Sequence, residues 1–357
     1  MNSARVLKAS PAVVSLVVLL VLPQTLSDFR LNQMTGWIPL ALAALGLNLL
    51  TGYNGQISVG HGALYGVGAY TAGLLVTRGG WPLLAAVAGA GVVTFGVGLV
   101  IGLPALRIKG LYLALVTLAV AVLFPDVVKR FSGLTGGAKG LYLTTPELNS
   151  RGVMVDKPVK LLPPSWLDQT KEQWTFYVYV LIAAVLFVLV RNLVNSRTGR
   201  AIVAVRDNEI AAEVNGIGVA RTKVLTFGVS AGLAGIAGGL FAVWQAQIFP
   251  QSFVVTTSLY LLVAVVVGGP ASIMGPAIGA LFVGLFQDVI TPELPERFSK
   301  ATPLILGAGL IVLMLVAPGG IAGLARQLVA RVQGSRGSVS RPDPSMETPT
   351  IDSASPS

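Results

Sequence analysis

The sequence predicts an all-α, polytopic transmembrane helical bundle of about ten spans, within a range of eight to ten. Apolar residues make up 54% of its 357 residues and charged residues only 11%, whereas a soluble globular domain usually carries about 25% charged residues. The apolar residues also occur in runs of about twenty, the length at which a helix crosses a bilayer. These observations exclude an ordinary soluble enzyme and a disordered chain.

Ten apolar stretches follow one another along the chain, and most reach the roughly 17–25 residues that a helical span needs. The first, residues 11–26, follows Arg5 and Lys8 and lacks a clear small-x-small cleavage site, so an uncleaved span is favoured over a signal peptide. The others lie at residues 34–50, 57–77, 82–104, 110–125, 174–192, 224–244, 257–269, 272–290 and 302–318. Eight or nine spans remain open, because a weak stretch can be re-entrant instead.

Two broken or re-entrant segments, near residues 52–62 and 268–276, are predicted from Gly, Pro and polar residues inside apolar sequence. Non-helical backbone at membrane depth persists only where protein or a water-filled cavity satisfies its polar groups. Paired broken segments in two halves of a chain point to a transport pathway. The candidate pathway residues are Asn54, Gln56, Ser58, His61, Gly268, Gly269, Ser272 and Gly275.

Each of these segments also has a purely structural interpretation. For the first segment it is helix packing with a turn, and for the second it is a plain loop between spans. For His61 alone, a packing role is favoured over contact with a solute, and a metal site is not expected, because the chain has one His and no Cys.

The net charge of +10 comes from basic loops between the apolar runs, so nucleic-acid binding is not indicated. With the N-terminus inside, fourteen Lys and Arg residues fall in inner segments, against four in the short outer loops. Because Lys and Arg in short loops favour the cytoplasm, both termini are predicted to be cytoplasmic. Residues 1–333 are then a transmembrane domain with an external loop at 131–173 and a cytoplasmic loop at 193–223, and residues 334–357 are predicted to be a disordered cytoplasmic tail.

The cytoplasmic loop is predicted to hold a short helix between Asp207 and Gly216. Asp207 or Asn208 is a suitable N-cap, Glu209 suits a helix N-terminus, and Gly216 or Gly218 suits the end. Such a helix of about two turns is not stable alone. It is either a solvated connection or a segment that docks on a partner.

The sequence shows no set of residues typical of an enzyme active site: it lacks a phosphate-binding G-x-x-x-x-G-K-[ST] motif and a nucleophile–base pair. No catalytic residue, cofactor or metal site is predicted. Asp288, near a span end, is the one candidate for an intramembrane carboxylate, which weakens the case for an independent proton-driven carrier.

Several segments of the sequence contain motifs that occur together in one protein family. They are Asn48–Ser58 continuing to Gly68-Ala69-Tyr70, Lys109–Ala119, Thr135–Gly137 with Gly140-Leu141, Gly199–Glu213 and Gly268–Ala280. In their order and number they resemble the M-type membrane permease of branched-chain amino acid ABC importers, over residues 35–325.

The resemblance implies a complex in the bacterial cytoplasmic (inner) membrane. Its other members would be a homologous permease, two cytoplasmic ATPase subunits that hydrolyse ATP, and a soluble solute-binding protein. The implied function is import of branched-chain amino acids, with urea, short amides or other amino acids as alternative substrates. Two other classes of protein stay open as alternatives. One is a stand-alone channel or secondary carrier, and the other, less favoured, is a membrane-embedded enzyme. The implied ATPase-coupling residues are Arg206, Asp207, Asn208, Glu209, Ala211, Ala212, Glu213 and Gly216.

Overall fold

A computed structural model describes residues 23–148 except 107 and 109, residues 154–293 except 160, and positions 307, 308, 315, 320, 321 and 323. Most of the predicted first span, most of the 302–318 stretch and the whole 334–357 tail lie outside the described residues. The predictions for those segments therefore remain predictions.

The described chain is built mainly of long apolar helices. They are α1 (Asp28–Asn48, extended by a π-helical turn over Leu49–Tyr53), α2 (His61–Thr77), α3 (Leu83–Gly102), α4 (Leu111–Arg130), α6 (Lys171–Asn195), α9 (Val219–Gln245), α10 (Val255–Gly268) and α11 (Gly275–Leu285, extended by a π-helical turn over Phe286–Ile290 and the short α12, Thr291–Glu293). By length and composition, six of these segments are able to cross a membrane. Together with α2 and the shorter apolar helix α10, they match eight of the ten predicted stretches. The protein is thus a helical, multi-pass membrane protein, and the count of ten spans stays a prediction.

Helix α9 lies at the centre of the bundle, packed against α1, α2 and α3. Its glycines let neighbouring backbones approach closely, as is common where membrane helices cross. A Cβ on Gly235 would lie 2.5 Å from Thr94 Oγ1 of α3. On another side, Gly68 of α2 packs directly on the Gly235 backbone. Close backbone contacts at glycines therefore stabilise the core, in addition to its large buried apolar side chains.

The predicted external loop, 131–173, contains short regular elements that its composition did not indicate. After the short α5 (Ser132–Thr135), strand β1 (Leu141–Tyr142) pairs antiparallel with β4 (Gln247–Ile248), which follows α9. Strands β2 (Thr144–Leu148) and β3 (Met154–Pro158) form a hairpin. The β1–β4 pair ties this loop to the end of the central helix.

Candidate functional site

The first broken segment lies between α1 and α2. Helix α1 widens into its π-helical turn and stops at Tyr53, and α2 begins at His61. Gly55 adopts a φ of +73°, a conformation that costs glycine little. The hydroxyl of Thr117 on α4 accepts a hydrogen bond from the Val59 N–H at 3.0 Å. The predicted interruption near 52–62 is therefore present, and it is held in part by a neighbouring helix.

The four polar candidates of this segment point into the protein. Asn54, Gln56, Ser58 and His61 are 3%, 5%, 1% and 0% exposed. Within the residues that the structure describes, five of their side-chain atoms have no hydrogen-bond partner: Asn54 Oδ1 and Nδ2, Gln56 Oε1, Ser58 Oγ and His61 Nδ1. A buried polar atom without a partner costs about 1–3 kcal/mol. Native chains keep few such atoms, so their concentration here sets the segment apart from ordinary packing.

His61 is also a packing residue. Its ring is fully buried at the start of α2, and its Nε2 lies 3.3 Å from Ser230 Oγ of α9. No group of three or more His, Cys, Asp or Glu residues able to hold a metal ion is found in the described part of the chain. His61 is thus buried against α9, and the choice between packing and contact with a solute stays a prediction.

The second broken segment joins α10 and α11 through residues 269–274. Gly269 has a φ of +106°, and Ala271 has the unusual φ of +55° for a residue with a Cβ. A Cβ on Gly268 would collide with the carbonyl oxygen of Gly275, so the two ends of the break touch through their backbones. Ser272 lies between them, half-buried. Glycine is required at Gly268 because the ends of the two helices approach each other too closely for a side chain.

A buried asparagine joins the two broken segments. Asn48, the last α-helical residue of α1, is 0% exposed. Its Nδ2 donates to the Ser272 carbonyl at 2.8 Å, and its Oδ1 accepts from the Ala271 N–H at 3.0 Å. We call this pair of hydrogen bonds the Asn48 clasp. It supplies backbone partners where the α10–α11 connection is not helical, and the sequence did not single it out.

The predicted cytoplasmic helix is shorter than expected. Helix α7 (Arg197–Asp207) contains Arg206 and Asp207, and a separate helix, α8 (Glu209–Val214), follows it. Asn208 is the N-cap, because its Oδ1 accepts from the Ala211 N–H at 3.0 Å. Gly216, at a φ of +79°, follows the end of α8. The expected Asp207–Gly216 helix is therefore the single capped unit 209–214.

The two faces of α8 differ sharply. Ala212 is only 3% exposed and packs inward, whereas Ile210 and Val214 are 76% and 84% exposed. Ala211 and Glu213 are exposed beside them. Ile210 and Val214 stand four residues apart on one helix face. The sequence analysis named Ala212 but missed this apolar pair, although its spacing was a readable signal.

Two polar connections run from the α7–α8 region to the first broken segment. The Arg206 Nη1 donates to the Gly52 carbonyl at 3.0 Å. Lys223 of α9, 6% exposed, pairs with Glu209 at 2.5 Å. The Lys223 carbonyl in turn accepts a long hydrogen bond of 3.4 Å from Gln56 Nε2. Polar contacts thus connect α7 and α8 with the first broken segment.

The comparisons with known proteins agree with this architecture. Residues 29–317 match the model of the family described as branched-chain amino acid transport system / permease component. The chain is 30% identical over 296 residues to the high-affinity branched-chain amino acid transport system permease protein LivM of Salmonella typhimurium, covering 80% of this chain and 68% of that protein.

A second type of relative matches over a similar length. The chain is 28% identical over 307 residues to the permease protein LivH of Escherichia coli, covering 83% of this chain and 96% of that one. No solved structure matches. The family match spans most of the chain, including both broken segments and α8, and the chain therefore belongs to the branched-chain amino acid transport system permease family.

Proposed function

We propose that this chain is the permease subunit of an ATP-binding-cassette importer. With a homologous permease it forms the pathway for branched-chain amino acids that a soluble solute-binding protein delivers. Two separate cytoplasmic subunits hydrolyse ATP, and the chain lies in the inner membrane with both termini in the cytoplasm. The names of the LivM and LivH relatives support the substrate and the existence of two permease types.

The exposed Ile210–Val214 pair on α8 is the observation that supports this proposal most. A six-residue helix does not hold its shape through its own hydrogen bonds alone. Here it is capped by Asn208 and anchored by the Glu209–Lys223 ion pair, yet it presents two large apolar side chains outward. Exposed apolar side chains on an anchored element are typical of a docking surface. We assign this face to the ATPase subunit.

The contacts behind α8 provide a route for coupling. When ATP binding moves the ATPases, Arg206 and Lys223 carry the motion of α7 and α8 to Gly52 and Gln56. The Asn48 clasp then links this segment to the second break. Coupling through a contiguous set of contacts needs elements with two arrangements. The two non-helical segments are the parts of the bundle suited to change shape.

The buried polar side chains of the first break are proposed to line the pathway. Asn54, Gln56 and Ser58 carry the atoms without partners, and such atoms gain hydrogen bonds when a polar solute or water reaches them. In the described state they are closed off from the exterior. Opening between the two permeases would expose them, as alternating access requires.

The placement of Asp288 argues against a stand-alone proton-driven carrier. Its Oδ2 accepts a hydrogen bond of 2.6 Å from the indole Nε1 of Trp37, at the π-helical end of α11. This contact gives the carboxylate a structural role between α1 and α11. Neither broken segment contains an Asp or Glu residue that could serve in a proton relay.

The docking role is tested by Ile210→Asp in the assembled complex. A carboxylate on this face has to be desolvated against an apolar partner surface. We expect the affinity for the ATPase subunit to fall about tenfold or more, with ATP-dependent uptake falling in parallel. Binding is measured by titrating the ATPase subunit onto the permease pair in nanodiscs.

Asn195→Asp is the matched control, since it places a carboxylate at an exposed position on the same side but off α8. Both variants should insert in the membrane in wild-type amounts. Unchanged ATPase affinity in Ile210→Asp, or an equal loss in the control, would remove α8 from the docking surface. Ala212→Arg is unsuitable for this purpose, because Ala212 is buried and the change would disturb folding.

A further inference from the structure

A large cavity lies beside the proposed coupling region, where the end of α6, helix α7 and the start of α9 meet. Its volume is about 620 Å³. None of the eight predicted coupling residues lines it, and none of the pathway candidates does. It is therefore a separate feature of the fold, on the same side of the membrane as α8.

The rim of this cavity is basic. Arg197 of α7 and Arg221 of α9 both line it, together with Thr198 and Thr222. Neither guanidinium makes an ion pair with any residue that the structure describes. Each Arg lies in the first turn of a helix that has no acidic residue there, although cations near a helix N-terminus are unfavourable without an anion. The rim thus has the charge to bind an anion and lacks one from the described chain.

The wall below the rim is apolar. Phe95 of α3 and Leu225 and Val229 of α9 line it, and Leu49 closes it from α1. Between Arg221 and Val229 the cavity follows α9 for about 12 Å at 1.5 Å per residue. The side chain of Leu225 is 40% exposed, so the wall is partly open to its surroundings. Because α9 is a spanning helix, the apolar part reaches into membrane depth and opens towards lipid.

We propose that this cavity binds one anionic phospholipid from the leaflet on the α8 side. Its phosphate lies between Arg197 and Arg221, and one acyl chain packs along Phe95, Leu225 and Val229. A free phosphate would use only the rim, and a zwitterionic phospholipid would bring a cation of its own next to the two arginines. An anionic phospholipid fits both the rim and the wall. Basic pockets between membrane helices suit such headgroups. The lipid would also contact α7, the helix that carries Arg206.

The test measures binding of fluorescent phosphatidylglycerol to the full chain in its assembled complex, in mild detergent, with phosphatidylcholine for comparison. The double variant R197Q/R221Q should bind phosphatidylglycerol roughly thirtyfold more weakly than wild type, from the loss of two cationic contacts. A second variant, Ala201→Phe, fills the cavity without changing charge and should also prevent binding. Mass spectrometry of the purified complex should find about one anionic lipid per chain, lost in both variants.

The matched control is R191Q/R200Q, which removes the same charge at two exposed arginines outside the cavity. It should keep wild-type affinity. Equal weakening in the control would show general surface attraction and overturn the proposal. So would equal binding of phosphatidylcholine, complete displacement of the lipid by millimolar inorganic phosphate, or an assembled complex in which a protein partner fills the cavity and no lipid binds.

Discussion

At the scale of single residues, Asn48 and Asn54 are two buried asparagines with opposite surroundings. The Asn48 side chain makes two hydrogen bonds to the backbone of the second broken segment. The Asn54 side chain is 3% exposed, and none of its polar atoms has a partner in the described chain. The same residue type thus binds neighbouring backbone at one position and has side-chain atoms without partners in the described chain at the other.

This difference predicts that alanine at the two positions changes the free energy of unfolding by different amounts. Asn48→Ala leaves the Ala271 N–H and the Ser272 carbonyl without partners, so the free energy of unfolding should fall by about 2–4 kcal/mol. Asn54→Ala removes two unpartnered atoms but also leaves a cavity, so the gain and the loss offset each other and that free energy should stay nearly unchanged. Uptake should fall if Asn54 lines the pathway. Thermal unfolding in detergent and uptake in vesicles measure the two effects. Equal destabilisation by both variants would contradict the distinction.

The residue types at this site were predictable from the sequence, but their pairing was not. Polar side chains and glycines inside apolar runs indicate a broken segment wherever they occur. The Asn48 clasp joins Asn48 to Ser272, which lies 224 positions later in the chain. No local sequence pattern encodes such a contact. The same applies to the hydrogen bond between Arg206 and Gly52.

At the scale of elements, the crossing of α9 with α2 and α3 depends on the absence of side chains. Gly235 lies between both neighbours: a Cβ there would lie 2.5 Å from Thr94 Oγ1 and 2.8 Å from the Ala90 carbonyl oxygen, both on α3, while Gly68 of α2 packs on the Gly235 backbone. Backbone atoms cannot move aside without separating the helices. The crossing distance is therefore set by glycine, at the centre of the bundle.

Gly235→Ala should lower the midpoint of thermal unfolding, because overpacking of this kind costs about 1–3 kcal/mol. Gly96→Ala on α3 is the matched control, since a Cβ there meets nothing within 4 Å. Alanine is about 1 kcal/mol better than glycine inside a helix, so this control should hold or raise the midpoint. A Gly235→Ala protein as stable as the control would show that the helices separate freely.

The elements themselves were partly predictable. Apolar length located eight of the helical stretches, and cap chemistry located α8, with Asn208 and Gly216 at its ends. The spacing of Ile210 and Val214 indicates that they share one face of α8, but six residues make too few turns to indicate whether that face is buried or exposed. The β1–β4 pair was also missed, since two-residue strands leave no alternating pattern.

At the scale of the whole molecule, the proposed pathway must open and close. The chain has no Cys, so single Cys variants report on one position each. Ser58→Cys, at a position now 1% exposed, should react with a permeant thiol reagent at a rate that changes when ATP binds to the complex.

Thr94→Cys serves as the comparison, because Thr94 is 0% exposed and lies in the α3–α9 crossing. It should stay unreactive in every state. If Ser58→Cys is as inert as Thr94→Cys with and without ATP, the first broken segment has a packing role and lines no pathway.

The central claim is that this permease transports only when it is coupled to ATPase subunits. Uptake of labelled leucine into proteoliposomes tests it most directly, with this chain alone compared with the complete complex and its binding protein. We predict no uptake by the chain alone, with or without a proton gradient, and uptake by the complete complex only when ATP is present. Leucine uptake by vesicles that contain this chain alone would contradict the account.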